Sequence, residues 1–347
     1  MNKNFDLVIY FSDINVNDQK FNQELIKKKC KFKSKFLRLG FNIFKRSIRF
    51  GIIKIIKNEK PDIIICSEYG QITIEIAIQK ILFHKKYTLY AMSDDSINEI
   101  ISRKGIRKII RNNIEKIVNG IIVTSKDISN WHKKYISQKI KTIELPIIYN
   151  EKYFIKILIR SRKIAEKYIE KYNIENKKVV LFVGRLENIK NVHFLVETFN
   201  ELLEENIKLF IIGEGSERKK LEKIANSGKR KSDIKFIGRL EGDELIAWYT
   251  IADIFVLPSI VERFGVVVNE ALLGGCMVLC SNKAGASILI DKNNGELFCP
   301  YNKNEFKEKI EKRLSQIEIV KYREKCKRPG KMNIKFNSVM KLFIEKL

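Results

Sequence analysis

Short apolar runs rich in β-branched residues recur along the chain, each followed by a polar or glycine-bearing loop and then, usually, a stretch with helical periodicity. In the first half, FDLVIYF (5–11), DIIIC (62–66), YTLYAM (87–92) and GIIVTS (120–125) predict strands. The second half is more regular, with KVVLFV (178–183), KLFII (208–212), IKFI (234–237), DIFVLP (253–258) and CMVLC (276–280). Strands alternating with helices in this way argue for an α/β fold, with parallel sheets covered by helices on both faces. The irregular IIYNEKYF follows Pro146 and leads into a basic helical run from about 155 to 172, so a hinge is expected near 146–176.

At 347 residues the chain exceeds the size at which single cores stop growing, so two domains are expected. The pattern divides it into an N-terminal domain (1–155), a hinge helix (156–176), a C-terminal domain (177–318) and a helical segment (319–347). The closing NSVMKLFIEKL is expected to pack back toward the first domain. The formal net charge of +26 suggests a polyanionic partner until its distribution is read. Residues 1–150 carry 29 Lys and Arg against 14 Asp and Glu, a net of +15, whereas residues 201–300 carry 13 against 15, a net of −2. The six cysteines include no CxxC pair, and four of them, Cys66, Cys276, Cys280 and Cys299, lie in or beside apolar runs. They read as reduced core thiols of a cytoplasmic protein. No window holds 18 uninterrupted apolar residues, and the start, MNKNFDLVIYFSD, has too short an apolar run for a signal peptide.

Candidate chemistry concentrates in four loops that leave the carboxyl ends of predicted strands, the edge where open α/β sheets bind ligands. They are GRLENIK (184–190), GEGS (213–216), GRLEGDE (238–244) and SIVERFG (259–265). A lone G-x-G after a strand is most often only a tight turn. Together the loops supply more. Arg185 and Lys190 offer two cations suited to a diphosphate. Gly265 would open a helix whose free N–H groups face the same place. Glu262 lies in a turn, while Glu270 is surrounded in sequence by Val266, Val267, Val268, Ala271, Leu272 and Leu273, where a carboxylate needs a partner. Eight helical residues would rise roughly 12 Å, so the two glutamates would serve opposite ends of one long ligand.

The region from residue 184 to residue 298 resembles the donor-binding domain of retaining GT-B glycosyltransferases of family 4, the glycosyltransferases group 1 family. The E-x7-E motif stands as Glu262 and Glu270, with PS before it and FG within it; GRL...K (184–190), G-x-G (213–215) and NGELF (294–298) keep the family's order. The resemblance implies a GT-B fold of two Rossmann-like parallel-sheet domains facing a central cleft. It further implies that Arg185 and Lys190 bind the donor diphosphate, Glu270 the ribose hydroxyls and Glu262 the hydroxyls of the transferred sugar. The backbone around Phe264, Gly265 and Val266 would cradle sugar and phosphate, Gly184, Gly213 and Gly215 would line the site, and Arg239 and Leu240 would border the base. Arg263, where such motifs often carry glycine or proline, is expected to face solvent. The chain enters at what looks like the family's second strand, so the N-terminal domain is expected to lack its first β/α unit or to begin upstream.

Two carboxylates also suit a glycosidase, but a hydrolase of plain glycosides has no diphosphate for the cationic loop to hold. A transferase has one as its leaving group, and Arg185 and Lys190 would stabilise the charge developing on it without a metal. No DxD motif follows a strand; Asp94-Asp95 is the nearest to a metal pair, in the other domain. Family members often carry a histidine in that half. His84, His132 and His193 are the only histidines; His84 and His193 read as structural or solvated, leaving Asp94 as the residue expected to contact donor sugar or acceptor.

The stretch 27–50 has ten Lys and Arg and no acid, interleaved with Phe and Leu, which suits an anionic membrane surface or a solvated face equally. No nucleic-acid motif supports an RNA or DNA partner. The expected activity is transfer of a hexose-type sugar, with retention, from a nucleotide-diphosphate donor to a saccharide or lipid-linked saccharide during cell-surface polysaccharide synthesis, with no cofactor beyond that co-substrate. A GT-B epimerase or phosphorylase, or a non-catalytic protein that binds membranes or polyanions, stands as the alternative.

Overall fold

The computed structural model describes residues 5–12, 23–30, 32–43, 46–83 and 86–347; His84 lies outside them. In chain order the strands are β1 (Val8–Ser12), β2 (Lys33–Leu37), β3 (Gly40–Ile43), β4 (Arg46–Arg49), β5 (Ile63–Ser67), β6 (Thr88–Ser93), β7 (Gly120–Val123), β8 (Lys141–Glu144), β9 (Lys178–Val183), β10 (Ile207–Ile212), β11 (Ile234–Gly238), β12 (Ile254–Leu257), β13 (Met277–Ser281) and β14 (Gly295–Phe298). The α-helices are α1 (Gln23–Lys29), α2 (Ile52–Glu59), α3 (Gln71–Leu82), α4 (Ile97–Ser102), α5 (Ile106–Ile117), α6 (Lys126–Tyr135), α7 (Glu151–Tyr172), α8 (Val192–Phe199), α9 (Arg218–Ser227), α10 (Gly242–Ile251), α11 (Val267–Leu273), α12 (Lys303–Ser315), α13 (Tyr322–Lys325) and α14 (Phe336–Lys346).

The chain forms two compact units. One comprises Met1–Asp94, Arg103–Leu145 and Met340–Leu347, and the other Asp95–Ser102 and Pro146–Val339. The split after Leu145 leaves α7, a single helix of 22 residues, wholly in the second unit. Its Tyr168 and Tyr172 pack on the buried Trp248 of α10, with ring centroids 5.0 and 5.6 Å away. The closing segment is shared: α13 stays with the second unit, whereas Met340–Leu347 joins the first. There Phe343 packs on Tyr90, Ile122 and Ile143.

In the first unit β5-β6-β7-β8 form a parallel sheet in sequence order. Ahead of it, β1 pairs in parallel with β2 across α1, and β3 and β4 form an antiparallel hairpin. The basic stretch 27–50 is therefore the end of α1, a strand and a hairpin, not one continuous segment. Its apolar residues divide: Leu37 is buried, while Leu39, Phe41 and Phe50 are exposed by half or more.

The second unit carries a six-stranded parallel sheet in the order β11-β10-β9-β12-β13-β14. Every residue of KVVLFV in β9 is buried, because helices cover both faces. Period-two alternation sorts them: Val179, Leu181 and Val183 join the core under α7, α10 and α11, and Val180 and Phe182 join the core under α8, α9 and α12. The chain builds outward from β9 to β11, then returns to place β12 beside β9 and continues the other way. The crevice between the carboxyl ends of β9 and β12 is thus a topological switch point, where such sheets bind ligands. All six cysteines are free thiols, with Cys66, Cys276 and Cys280 buried. Among the described residues, no helix is long and apolar enough to cross a membrane.

Candidate functional site

The loops after β9 and β12 meet at the switch point through their side chains. Lys190, in a 3-10 turn at Asn188–Lys190, donates from Nζ to Glu262 Oε2, and both side chains are largely buried. Ser259 Oγ lies 3.4 Å from the same oxygen. The backbone joins the loops as well, since Ile260 N–H donates to Ile189 C=O at 2.9 Å. A buried pair of this kind loses much of its value if one partner is removed and the other charge is stranded. Arg185, on the same loop, is exposed and ion-paired to Glu187.

Local conformation explains the glycines. Gly213 has φ +141°, and a Cβ there would sit 1.8 Å from the Gly184 carbonyl oxygen. A Cβ on Gly215 would meet the Leu186 carbonyl at 2.3 Å. The G-x-G motif therefore serves the close approach of two neighbouring loops, reinforced by the Leu186 N–H to Glu214 C=O bond at 2.8 Å. Gly265 has φ +94°, and its missing Cβ leaves room for Leu257, whose Cδ2 would otherwise lie 2.8 Å away. Phe264 buries its ring in the core while its carbonyl accepts from Ala286 N–H at 2.6 Å. Val266 is exposed, and helix α11 starts one residue later.

Only Val267–Glu270 of the E-x7-E interval is helical, so the expected eight-residue helical rise between the glutamates does not form. Glu262 instead bridges to Ala284 on the loop after β13, and Gly285 N–H donates to the Glu262 carbonyl at 3.2 Å. Glu270 has the partners that its apolar neighbourhood demanded. Its Oε1 accepts from Tyr149 Oη at 3.1 Å and its Oε2 from Tyr249 Oη at 2.7 Å. Burial raises the Glu270 pKa above the usual carboxylate value, opposed by the two phenol donors, Tyr249 and then Tyr149. Burial, and next the charge of Glu270, push both phenols upward. Both therefore stay protonated and donate.

The remaining sequence-predicted residues make other contacts. Arg239 is exposed and paired with Glu241, and Leu240 packs at the edge of the core. Arg263 does not simply face solvent: its Nε lies 3.3 Å from Glu99 Oε1 on α4, which belongs to the same unit. Asp94 follows β6 in the first unit, half-buried. His132 is wholly buried, with Nδ1 2.9 Å from the Ile128 carbonyl and Nε2 3.2 Å from Glu115, and is a satisfied structural residue. His193 lies in the first turn of α8.

Sequence reasoning missed Tyr149, Tyr249 and Asn269. Asn269 was masked by its apolar setting, yet it is fully buried and donates from Nδ2 to Ile147 C=O at 2.8 Å.

Two Rossmann-like units built on parallel sheets define the GT-B class of fold, and solved structures agree. The chain aligns with the Anabaena protein Alr3699/HepE, solved in complex with UDP and glucose, at a TM-score of 0.66 and 15% identity, covering 93% of this chain and 87% of that one. More particularly, residues 164–332 match the family model described as Glycosyl transferases group 1. Among curated relatives, an uncharacterised glycosyltransferase of Methanocaldococcus jannaschii is 35% identical over 130 residues, 37% of this chain and 33% of the relative. The lipopolysaccharide glucosyltransferase WaaG of Escherichia coli is 29% identical over 204 residues, 56% of this chain and 53% of that protein. The chain thus spans from a third to about half of the length of these two relatives.

Proposed function

We propose that this protein is a retaining glycosyltransferase of family 4 that moves a hexose-type sugar from a nucleotide-diphosphate donor to a saccharide or lipid-linked saccharide in cell-surface polysaccharide synthesis. The observation that carries the reading is the cation and carboxylate at the switch point, Lys190 and Glu262, with Arg185 on the same loop and Glu270 on the following helix. Lys190 and Arg185 would hold the diphosphate and stabilise the charge that develops on it as the sugar–phosphate bond breaks. Glu262 would accept from sugar hydroxyls and Glu270 from the ribose. In this reading neither glutamate is a nucleophile. The acceptor hydroxyl attacks from the face of the leaving group, its proton passes to the departing phosphate, and no metal is required. Asp94 is assigned to the acceptor side.

The kinship with a lipopolysaccharide glucosyltransferase supports an envelope-polysaccharide setting. A cytoplasmic enzyme using a lipid-linked acceptor would sit on the inner face of the membrane. The exposed Leu39, Phe41 and Phe50 among the lysines and arginines of 27–50 support that contact.

Calorimetric titration with UDP-, GDP- and ADP-sugars tests the reading: one nucleotide should bind, and failure of all three sets overturns it. Release of nucleoside diphosphate only when an acceptor is present separates transfer from epimerisation. The anomeric configuration of the product, read by NMR, tests retention.

A further inference from the structure

The short segment Pro146–Asn150 leads into α7 and is fastened to helix α11 at two successive residues. Asn269 donates to the Ile147 carbonyl at 2.8 Å, and Tyr149 donates to Glu270 at 3.1 Å. The Tyr149 ring is seated on Phe154 of α7, with centroids 5.6 Å apart. Asn150 caps that helix, accepting from Tyr153 N–H at 3.2 Å. Tyr149 is therefore anchored on both sides in sequence and delivers its hydroxyl from a fixed base.

The two donors to Glu270 differ in kind. Tyr249 is wholly buried in α10, and its backbone carbonyl accepts from the Cys276 thiol at 3.3 Å. It cannot leave the carboxylate without repacking of the core. Tyr149 is 37% exposed, so the contact it makes with the carboxylate is the one nearer solvent. One oxygen is thus fixed from behind and the other is steered from the open side. A single buried donor would leave the carboxylate free to swing about that contact, and a mobile acceptor binds a pair of vicinal hydroxyls poorly.

We propose that Tyr149 is a positioning residue for nucleotide recognition: its hydroxyl fixes the outward oxygen of Glu270 so that the carboxylate accepts from both ribose hydroxyls. This rests on the reading of Glu270 as the ribose acceptor. Tyr149 contacts Glu270, not the reacting atoms, so its loss should alter recognition of the ribose rather than of the diphosphate. The titratable groups facing Glu270 are Tyr149 from the connecting segment and Tyr249 from α10, with Cys276 beside Tyr249. Removing one donor from a desolvated carboxylate favours its neutral form, and a neutral carboxyl is the weaker acceptor.

The test is calorimetric binding of UDP, GDP and ADP, and of their 2′,3′-dideoxy analogues, to the full chain and to Tyr149→Phe and Glu270→Gln, between pH 6 and 8. The Phe variant keeps the ring packed on Phe154. Tyr149→Phe is expected to weaken the ribonucleotide by roughly tenfold, the scale of one hydrogen bond to a charged group, and to leave the dideoxy analogue nearly unchanged. The deficit should widen as pH falls toward 6. If Glu270→Gln discriminates between the two ligands but Tyr149→Phe does not, or if its deficit is equal for both ligands, the positioning role is overturned. If Glu270→Gln itself fails to discriminate, or no diphosphate binds, the ribose reading falls and takes this inference with it.

Discussion

At the scale of single residues, Lys190 and Glu262 form an ion pair, although in the proposed reading each serves a different part of the donor. If Lys190 holds the diphosphate as proposed, the ligand competes with that carboxylate for it. Glu262→Gln should tighten binding of the free nucleoside diphosphate a few-fold while slowing sugar transfer by about a hundredfold, the scale expected when an oriented contact to the reacting sugar is lost. Calorimetry and a steady-state assay on the same preparation check both. Glu270 makes a different demand. Its pKa is raised by burial, so the folded state binds that proton more tightly than the unfolded chain. The stability it contributes is present when the group is protonated and lost as pH rises through the folded pKa. Glu270→Gln should accordingly raise the melting temperature by a few degrees at pH 8 without ligand, and the gain should shrink toward pH 5. A gain that grows on acidification would contradict the assignment.

Among the elements, glycines and exposed aromatics carry the clearest consequences. Gly213→Ala places a Cβ on the Gly184 carbonyl at a backbone angle that only glycine adopts readily. The loops after β9 and β10 would have to part, and a loss of about 3 kcal/mol or more, with weakened nucleotide binding, is expected in denaturant titration. In the hairpin β3–β4, Phe41 and the Phe50 that follows it keep their rings 5.9 Å apart on the surface. The double replacement Phe41→Ser and Phe50→Ser should cut co-flotation with anionic vesicles several-fold and leave nucleotide affinity unchanged. These elements also show what the sequence disclosed. Five of the six strands of the second unit's sheet were legible, because four- to six-residue apolar runs between loops have few other uses, while β14 was read only as a motif. The strands β2, β3 and β4 were not legible, because their apolar positions are interleaved with lysine and arginine that suit a solvated surface as well. The two glutamates stood out in the sequence, although the helix expected to separate them does not form. The partners of Glu270 did not, since Tyr149 lies 121 residues from it and no local periodicity reports a contact at that range.

For the whole molecule, the uneven charge predicts different salt responses for the two proposed contacts. The excess of +15 lies within residues 1–150, while residues 201–300, which hold most of the candidate nucleotide site, are near neutral. Vesicle binding should fall steeply between 50 and 300 mM salt, as counterion screening requires, while calorimetric nucleotide affinity should change much less. Equal salt sensitivity of the two would place the basic surface at the nucleotide site instead.

The strand order of the second unit also bears on how the site comes into existence. Strands β9 and β12 lie side by side, with Val180 opposite Ile254 and the Val179 N–H donating to Asp253, 74 positions along the chain. The local β-α-β pairings on either flank can close earlier, because their loops are short and cost less entropy. Insertion of β12 beside β9 is then a late event in refolding. Until it happens Lys190 and Glu262 have no reason to meet. The capacity to bind nucleotide should therefore lag behind the recovery of helical signal, making ligand binding a clock for the last long-range step.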